Sequence, residues 1–453
     1  MKKIEDNNTP DLHKFLHRLE EKNELIKIKK AVNTKFEIAA IISKMDGKQA
    51  VLFDRIVGSK IKVASNIVGT RSRFCLALGA KNMQDIHNVT NNAIKNMKKP
   101  TIIKETPLYH YRSSTNLSIL PIVTHFEKDA GPYITSSVVY AKDQDMGNQN
   151  SSTHRLLKLD EKHMAIRMVE GRHLHRCFLN AKEHGEDLKV AIVIGVHPAI
   201  NIASAYQAVY GIDEMYIANS LLNGKLYLNE NKYSKLLIPN TCEIVLEGAI
   251  LSDKTHKEWM VEMLKTYDFK REQPVFKLEK IRFKENAIYY DILPGYLEHR
   301  LLMGLPVEAK MNEHVKGVIP STKTVHLSDS GCNWLTAVIQ IKKKLEGEPK
   351  NALLAAFAAH PSLKIAIVVD EDIDPTDSNS VEYAIATRSQ PDKKFMIISD
   401  VKGSSLDPSS DQENLLTSKL GIDATITLLK SKERFEIAKI PGENKIKLSD
   451  YIL

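Results

Sequence analysis

The chain has 453 residues, more than one hydrophobic core serves, so two or three domains are expected. Its formal charge of +8, from 64 basic and 56 acidic residues, is spread along the whole length, and aromatics are only 6% and do not interleave with it; this argues against the cluster-and-stack signature of a nucleic-acid binder. Cys75, Cys177, Cys242 and Cys332 form no C-x-x-C pair, and neither an apolar leader nor a run of about 18 apolar residues is present, so the expectation is a soluble, unprocessed, cytoplasmic protein without disulfides, structural zinc or membrane span.

In chain order, Leu12 to Leu19 has helical apolar spacing, Leu25 to Ile28 alternates like a strand, and Phe36 to Ile42 returns to helical spacing. Ser65 to Gly79 reads as a strand, a glycine turn and a helix closed by a second glycine. Pro100, Pro107, Pro121 and Pro132 punctuate a stretch without strong periodicity, and a boundary is placed near 105. Short strands follow at 135–141, 151–159, 164–169, 190–194, 242–251, 275–283 and 287–292, with helices near 174–182 and 213–222, which suggests a barrel-like sheet. Beyond about 320 the strand and helix rhythm of a parallel or mixed sheet sets in, at 334–341, 352–359, 364–369, 381–386 and 394–399. The acidic run Asp370 to Asp374 reads as a solvated or capping loop, and the polar stretches 403–408 and 417–425 as segments reaching a neighbouring domain or subunit. The fold class is α/β in the α+β sense, divided at 1–105, 106–315 and 316–453.

The chemistry concentrates in Asn150-Ser-Ser-Thr-His-Arg155, followed by His173 and Glu214. An amide oxygen, an imidazole nitrogen and a carboxylate make a mixed ligand set that suits Mn²⁺ or Mg²⁺. His173-x-His175 alone hints at zinc but lacks the third ligand of a zinc hydrolase. An arginine late in an alternating strand is usually a surface residue, but Arg155 can also act as a fork for a substrate carboxylate. Asn150 and Arg155 are five apart and face opposite sides of a flat strand, so one site can use both only if a bulge or strand end intervenes. Glu258 and Glu262 have the i,i+4 spacing of a solvated helix face; alternatively they form a carboxylate pair, one donating a proton while the other braces the arginine.

In this order, the pieces resemble the UbiD family of decarboxylases over about residues 12 to 440. The Asn-x-Ser-x-x-Arg element is Asn150 to Arg155, the metal histidine falls on His173, the metal glutamate on Glu214 within Gly211 to Ala218, and Cys242 to Gly248 looks like the strand leading into the catalytic acids. The resemblance implies a central split β-barrel that binds flavin and a C-terminal α/β domain that mediates oligomerisation. It implies prenylated FMN, a divalent metal on Asn150, His173 and Glu214, and a potassium ion beside it. Thr153, His154, Arg155, Val169, Glu170, Gly171, Leu174 and His175 would line the cofactor, Lys419 would reach its phosphate, and Arg155, Glu258 and Glu262 would be catalytic, with Glu262 the proton donor.

By the same resemblance, CO₂ leaves an sp² carbon with the modified flavin as electron sink, because no side chain stabilises a vinyl or aryl carbanion. The acids depart from the family pattern. Where Glu-Gly-Pro-Phe or Tyr is usual, this chain has Glu258-Trp-Met-Val-Glu262, which implies a different turn and places Trp259 near the substrate. Thr266-Tyr-Asp268, Arg271 to Val275 and Gly403 to Pro408 look most like the archaeal branch, which includes anhydromevalonate phosphate decarboxylase of isoprenoid synthesis. The competing readings are a 4-hydroxybenzoate-type decarboxylase of quinone synthesis and a cofactor-binding paralogue without turnover. Expected partners are a small carboxylic acid, a flavin prenyltransferase that supplies the cofactor, and further copies in a homodimer or homohexamer. Arg155→Ala is expected to remove activity while sparing the fold.

Overall fold

The computed structural model describes residues 9–104, 111–206, 208–438 and 440–452. The charged N-terminal stretch up to residue 8, Pro107 and the boundary expected near 105 lie outside the described residues.

The helix Leu12–Glu21 buries Leu12, Phe15, Leu16 and Leu19, the i, i+3, i+4, i+7 stripe of an amphipathic helix, and Asp11 caps it by accepting from the Lys14 N–H. The strand Leu25–Ile28 and the helix Glu37–Lys44 follow as the spacing predicts. The 65–79 segment is also as expected, with Thr70 capping the helix Arg71–Leu78 and Gly79 ending it. Leu25–Ile28, Ala50–Phe53 and Lys62–Ser65 form a four-stranded sheet whose last member, Ile288–Tyr290, arrives from far along the chain. The N-terminal and central segments therefore share a sheet.

The centre is a closed barrel. Tyr133–Lys142, Gln149–Lys158, His163–Ile166, Leu188–Ile194, Ile244–Glu258 and Arg271–Phe283 pair antiparallel, and the last two close the circuit by pairing with each other. Closure removes the exposed edges an open sheet would present. Period-two alternation divides the wall: Val138, Tyr140, Ala191, Val193 and Val245 join one apolar cluster with the helices Pro198–Ala205 and Glu214–Leu221, whereas Val139, Ala141, Val190, Ile192 and Leu246 join another with Leu174, Cys177 and Phe178 of the helix His173–Glu183.

The third unit is a five-stranded sheet in the order Thr322–Leu327, Thr336–Ile341, Ile365–Asp370, Leu416–Ala424, Phe395–Lys402, with helices Glu348–Ala359 and Ser378–Arg388 in the connections. The acidic run is a loop between strand and helix, held by Arg388 on Asp370 and Asp372.

Three expectations need correction. The stretch 417–425 is not a reaching segment but an inner strand of this sheet. Its polar side chains are satisfied internally, Asp423 accepting from the Thr425 N–H at 2.9 Å. Glu258 is not on a helix, because the strand Ile244–Glu258 runs on to that residue and pairs it with Arg271. Ladder pairing outweighs the local i,i+4 spacing. Finally, the 22-residue helix Leu297–Val318, which contains Pro306 and passes through position 315, is absent from the periodicity reading; it is buried on several faces and so shows no single apolar stripe. No helix among the described residues is long and apolar enough to cross a membrane.

Candidate active site

A cavity of about 350 Å³ opens between the strand Gln149–Lys158, the starts of the helices at His173 and Glu214, the helix Pro198–Ala205 and the first turns of the helix Leu297–Val318. Asn150 and Arg155 both reach it. Asn150 stands at the start of its strand, and opposite Arg155 the neighbouring strand bulges by one residue: Ile134 pairs with Leu156 but Ser137 pairs with His154.

At one end, the Asn150 Oδ1 lies 3.2 Å from the His173 Nδ1, which lies 3.5 Å from the Glu214 Oε1. Donors at right angles around an ion with bonds of about 2.1 Å stand about 3 Å apart, so this spacing fits a hard divalent cation. The other oxygen of Glu214 accepts from the Ser151 N–H at 2.9 Å. A hydrogen-bond chain orients the amide. The Asn150 Nδ2 donates to the Ser152 Oγ at 2.9 Å, Ser152 donates to the His154 Nε2 at 2.8 Å, and the His154 Nδ1 donates to the Arg167 carbonyl at 2.8 Å. That assignment needs a neutral imidazole, and burial lowers the His154 pKa to about 4. The amide nitrogen is thus occupied and the oxygen is turned to His173.

Beyond this trio lies Arg155, its side chain 11% exposed, which rules out the surface reading. Its Nε and Nη2 donate to the two oxygens of Glu258 at 2.6 and 3.0 Å, its Nη1 donates to Glu262, and its Nη2 also reaches Asp268 at 3.1 Å. Burial disfavours the guanidinium charge, but Glu262, Glu258 and Asp268 outweigh it and hold the pKa above the ordinary arginine value. Burial likewise works against ionised Asp268, but Arg155, Arg271 and Arg167 outweigh it and hold the carboxyl below its usual range.

Glu258 is fully buried behind the arginine; of the three acids, only Glu262 lines the cavity. Asp268 is the member that the pairing of Glu258 with Glu262 leaves out. It arrives only because the chain turns back at 260–268, with the Glu262 N–H donating to the Thr266 carbonyl at 2.8 Å and the Asp268 N–H to the Met260 carbonyl at 2.9 Å.

The unusual turn between the acids is tied down without glycine or proline. The Trp259 indole donates to the Lys128 carbonyl at 2.8 Å, its own carbonyl accepts from the Tyr133 hydroxyl at 2.9 Å, and Asp129 accepts from the Val261 N–H at 3.2 Å. Trp259 does not crowd the cavity as expected, because these bonds turn it toward the 126–130 loop; Met260 and Val261 form the wall instead. Gly295, at φ +75°, lets the start of the long helix approach, since a Cβ there would stand 2.9 Å from the Glu262 carbonyl.

Of the remaining expected residues, Thr153, His154, Val169 and Leu174 line the cavity, whereas Glu170, Gly171 and His175 do not; the His175 Nδ1 accepts from the Gly171 N–H at 3.3 Å. Lys419 is a correction. It is buried in the C-terminal sheet, outside the cavity wall, and donates to the carbonyls of Pro361 and Leu363 at 2.7 and 2.5 Å; burial lowers its pKa to about 8.

Sequence reasoning misses Arg167, Asn201, Ser204 and His299, all in the wall. The Asn201 Nδ2 donates to the Ser136 carbonyl at 3.2 Å, leaving its buried Oδ1 unpartnered, as are the Ser204 and Thr153 hydroxyls. Buried polar atoms without partners, gathered on one cavity, fit a polar ligand such as a flavin ring system. The His299 Nδ1 accepts from the Gly295 N–H at 3.1 Å, and burial and Arg155 lower its pKa to about 4, so it offers a neutral Nε2–H donor.

Comparison with known proteins agrees with this geometry. Family models described as the N-terminal, Rift-related and C-terminal domains of 3-octaprenyl-4-hydroxybenzoate carboxy-lyase match residues 16–91, 96–297 and 300–424. Anhydromevalonate phosphate decarboxylase of Methanocaldococcus jannaschii is 44% identical over 415 residues, covering 90% of this chain and 96% of its own. The UbiD-class enzyme HmfF of Pelotomaculum thermopropionicum, solved with FMN, superposes with a TM-score of 0.94 at 36% identity, covering 98% of this chain and all of that one; an evolved dimeric form solved with prenylated FMN gives 0.90 at 34%, with 98% and 100% covered. The closed barrel, the Asn150–His173–Glu214 trio and the carboxylate-held arginine thus stand in a chain that belongs to the UbiD family of carboxy-lyases.

Proposed function

We propose that the protein is a prenylated-FMN-dependent decarboxylase that releases CO₂ from trans-anhydromevalonate 5-phosphate, a phosphorylated α,β-unsaturated acid of isoprenoid synthesis. The observation that carries this reading is the placement of Arg155, gripped by three carboxylates, in the same cavity as the Asn150–His173–Glu214 trio. The substrate assignment rests on the relatives' names.

Asn150, His173 and Glu214 hold Mn²⁺ or Mg²⁺. A potassium ion beside it rests on the family resemblance alone. Thr153, His154, Val169 and Leu174 form the wall against the flavin. When bound, the prenylated flavin supplies the electron sink that decarboxylation at an sp² carbon needs. Glu258 and Asp268 fix the guanidinium of Arg155, the guanidinium aims the Glu262 carboxyl into the cavity, and Glu262 delivers one proton to the substrate carbon. Apolar wall residues such as Met260, Val261, Ile292 and Leu302 exclude water around that proton. A flavin prenyltransferase supplies the cofactor, and the protein works in the cytoplasm as a homodimer or homohexamer assembled through its C-terminal unit. The tied turn at Trp259 aims Glu262 correctly and so favours turnover over a silent paralogue.

The test is CO₂ release by protein co-expressed with a flavin prenyltransferase, offered trans-anhydromevalonate 5-phosphate, its unphosphorylated acid and 4-hydroxybenzoate. Turnover of the phosphate at least about tenfold above the other two is expected, equivalent to about 1.4 kcal/mol of discrimination. Turnover confined to 4-hydroxybenzoate would transfer the assignment to aromatic acids.

A further inference from the structure

The three segments that carry Asn150, His173 and Glu214 come from distant parts of the chain, and one side chain outside the cavity wall touches all of them. Tyr210 lies on the loop that leads into Glu214. Its ring meets the His173 imidazole edge-on, with centroids 5.1 Å apart and an interplanar angle of 72°, and the Arg176 guanidinium of the same helix stacks on it at 4.8 Å. Its hydroxyl donates to the Asp143 Oδ2. Asp143 in turn holds the 143–148 hairpin turn that delivers Asn150: its Oδ1 accepts from the N–H groups of Asp145 and Met146 at 3.0 and 2.9 Å, and its backbone bonds to Asn148 and Gly147. The loop also packs on this hairpin through Gly211, at φ +95°, where a Cβ would stand 3.2 Å from the Asn148 side chain.

Building on the metal reading above, we propose that Tyr210 is a positioning residue for the metal site, clipping together the hairpin of Asn150, the helix of His173 and the loop of Glu214. Outer groups of this kind orient ligands that otherwise rotate freely, and their loss typically weakens metal affinity about 10- to 100-fold. An imidazole on the first turn of a helix has two ring rotations to lose on binding. The edge-on tyrosine removes them in advance.

The test is Mn²⁺ binding to the full chain in the presence of FMN, followed by the electron paramagnetic resonance signal of free Mn²⁺, with thermal melts run alongside. Tyr210→Ala is expected to weaken binding about 10- to 100-fold, and Tyr210→Phe, which keeps the ring but drops the Asp143 bond, and Asp143→Asn each by about three- to tenfold. Glu214→Gln serves as the control that removes a ligand. Affinity of Tyr210→Ala within about twofold of wild type, while Glu214→Gln loses binding, would overturn the positioning role and leave the metal site standing. A wild-type protein that takes up no Mn²⁺, or a Glu214→Gln variant that binds normally, would instead remove the metal reading and this proposal with it. If Tyr210→Ala does not melt cooperatively, Tyr210→Phe and Asp143→Asn decide: unchanged affinity in both overturns the proposal.

Discussion

Arg155→Ala is expected to abolish measurable turnover and also to destabilise the protein. The guanidinium makes four hydrogen bonds to Glu258, Glu262 and Asp268, of which Glu258 is fully buried and Asp268 is 5% exposed. Removing it strands buried carboxylates, and breaking a buried pair in this way typically costs about 3–5 kcal/mol. The turnover loss follows because Glu262 loses the group that aims it, and misplacement of a reacting group by about 1 Å can cost 10²-fold in rate. The structure thus revises the expectation that alanine here spares the fold. Denaturant midpoints and CO₂ release on the same preparation check both halves. Lysine at 155 retains charge but not the fork, and should recover part of the stability and little of the rate. Unchanged turnover in Arg155→Ala would refute the role given to the arginine.

Glu262→Gln is expected to slow the proton step by about 10²- to 10⁴-fold while leaving the melt near wild type. The three acids on Arg155 are not equivalent. Glu258 is sealed behind the arginine, and Asp268 is held below its usual pKa by Arg155, Arg271 and Arg167 against the effect of burial, so it stays ionised and is a poor acid. Glu262, 20% exposed, is the acid in the cavity wall. Single-turnover measurements that separate CO₂ release from product appearance should place the Glu262→Gln defect after CO₂ release. Asp268→Asn should instead lower stability and alter both steps. The reverse pattern, a proton defect in Asp268→Asn with none in Glu262→Gln, would move the donor to Asp268.

What is legible in the sequence is what local chemistry or family resemblance determines. Asn150, His173 and Glu214 are legible through the family resemblance, since single amides, imidazoles and carboxylates are common in any chain, and the structure sets the His173 Nδ1 3.2 Å from Asn150 and 3.5 Å from Glu214. The strand and helix rhythm of the C-terminal unit is legible because the strands Thr336–Ile341 and Ile365–Asp370 are short apolar runs between turn signals. The contact of Asp268 with Arg155 is not legible, because it depends on a backbone turn that nothing in the 258–268 residue types announces. Asn201 and Ser204 lie on a helix whose other residues are apolar, and only the cavity distinguishes them from ordinary small polar residues. The strand Leu416–Ala424 reads as a polar segment because its charges are satisfied by tertiary partners, and Lys419 reads as a phosphate ligand until its ammonium is found on two carbonyls.

The proposed function requires the cavity bounded by Asn150 and Arg155 to hold one modified flavin and one divalent ion. Protein co-expressed with a flavin prenyltransferase can be denatured and the released small molecules weighed by mass spectrometry, with metal counted on the same sample. Prenylated FMN and Mn²⁺ or Mg²⁺ released in equal amounts, both lost in Asn150→Ala, are expected. Protein that releases neither flavin nor metal after that co-expression would contradict the proposed function.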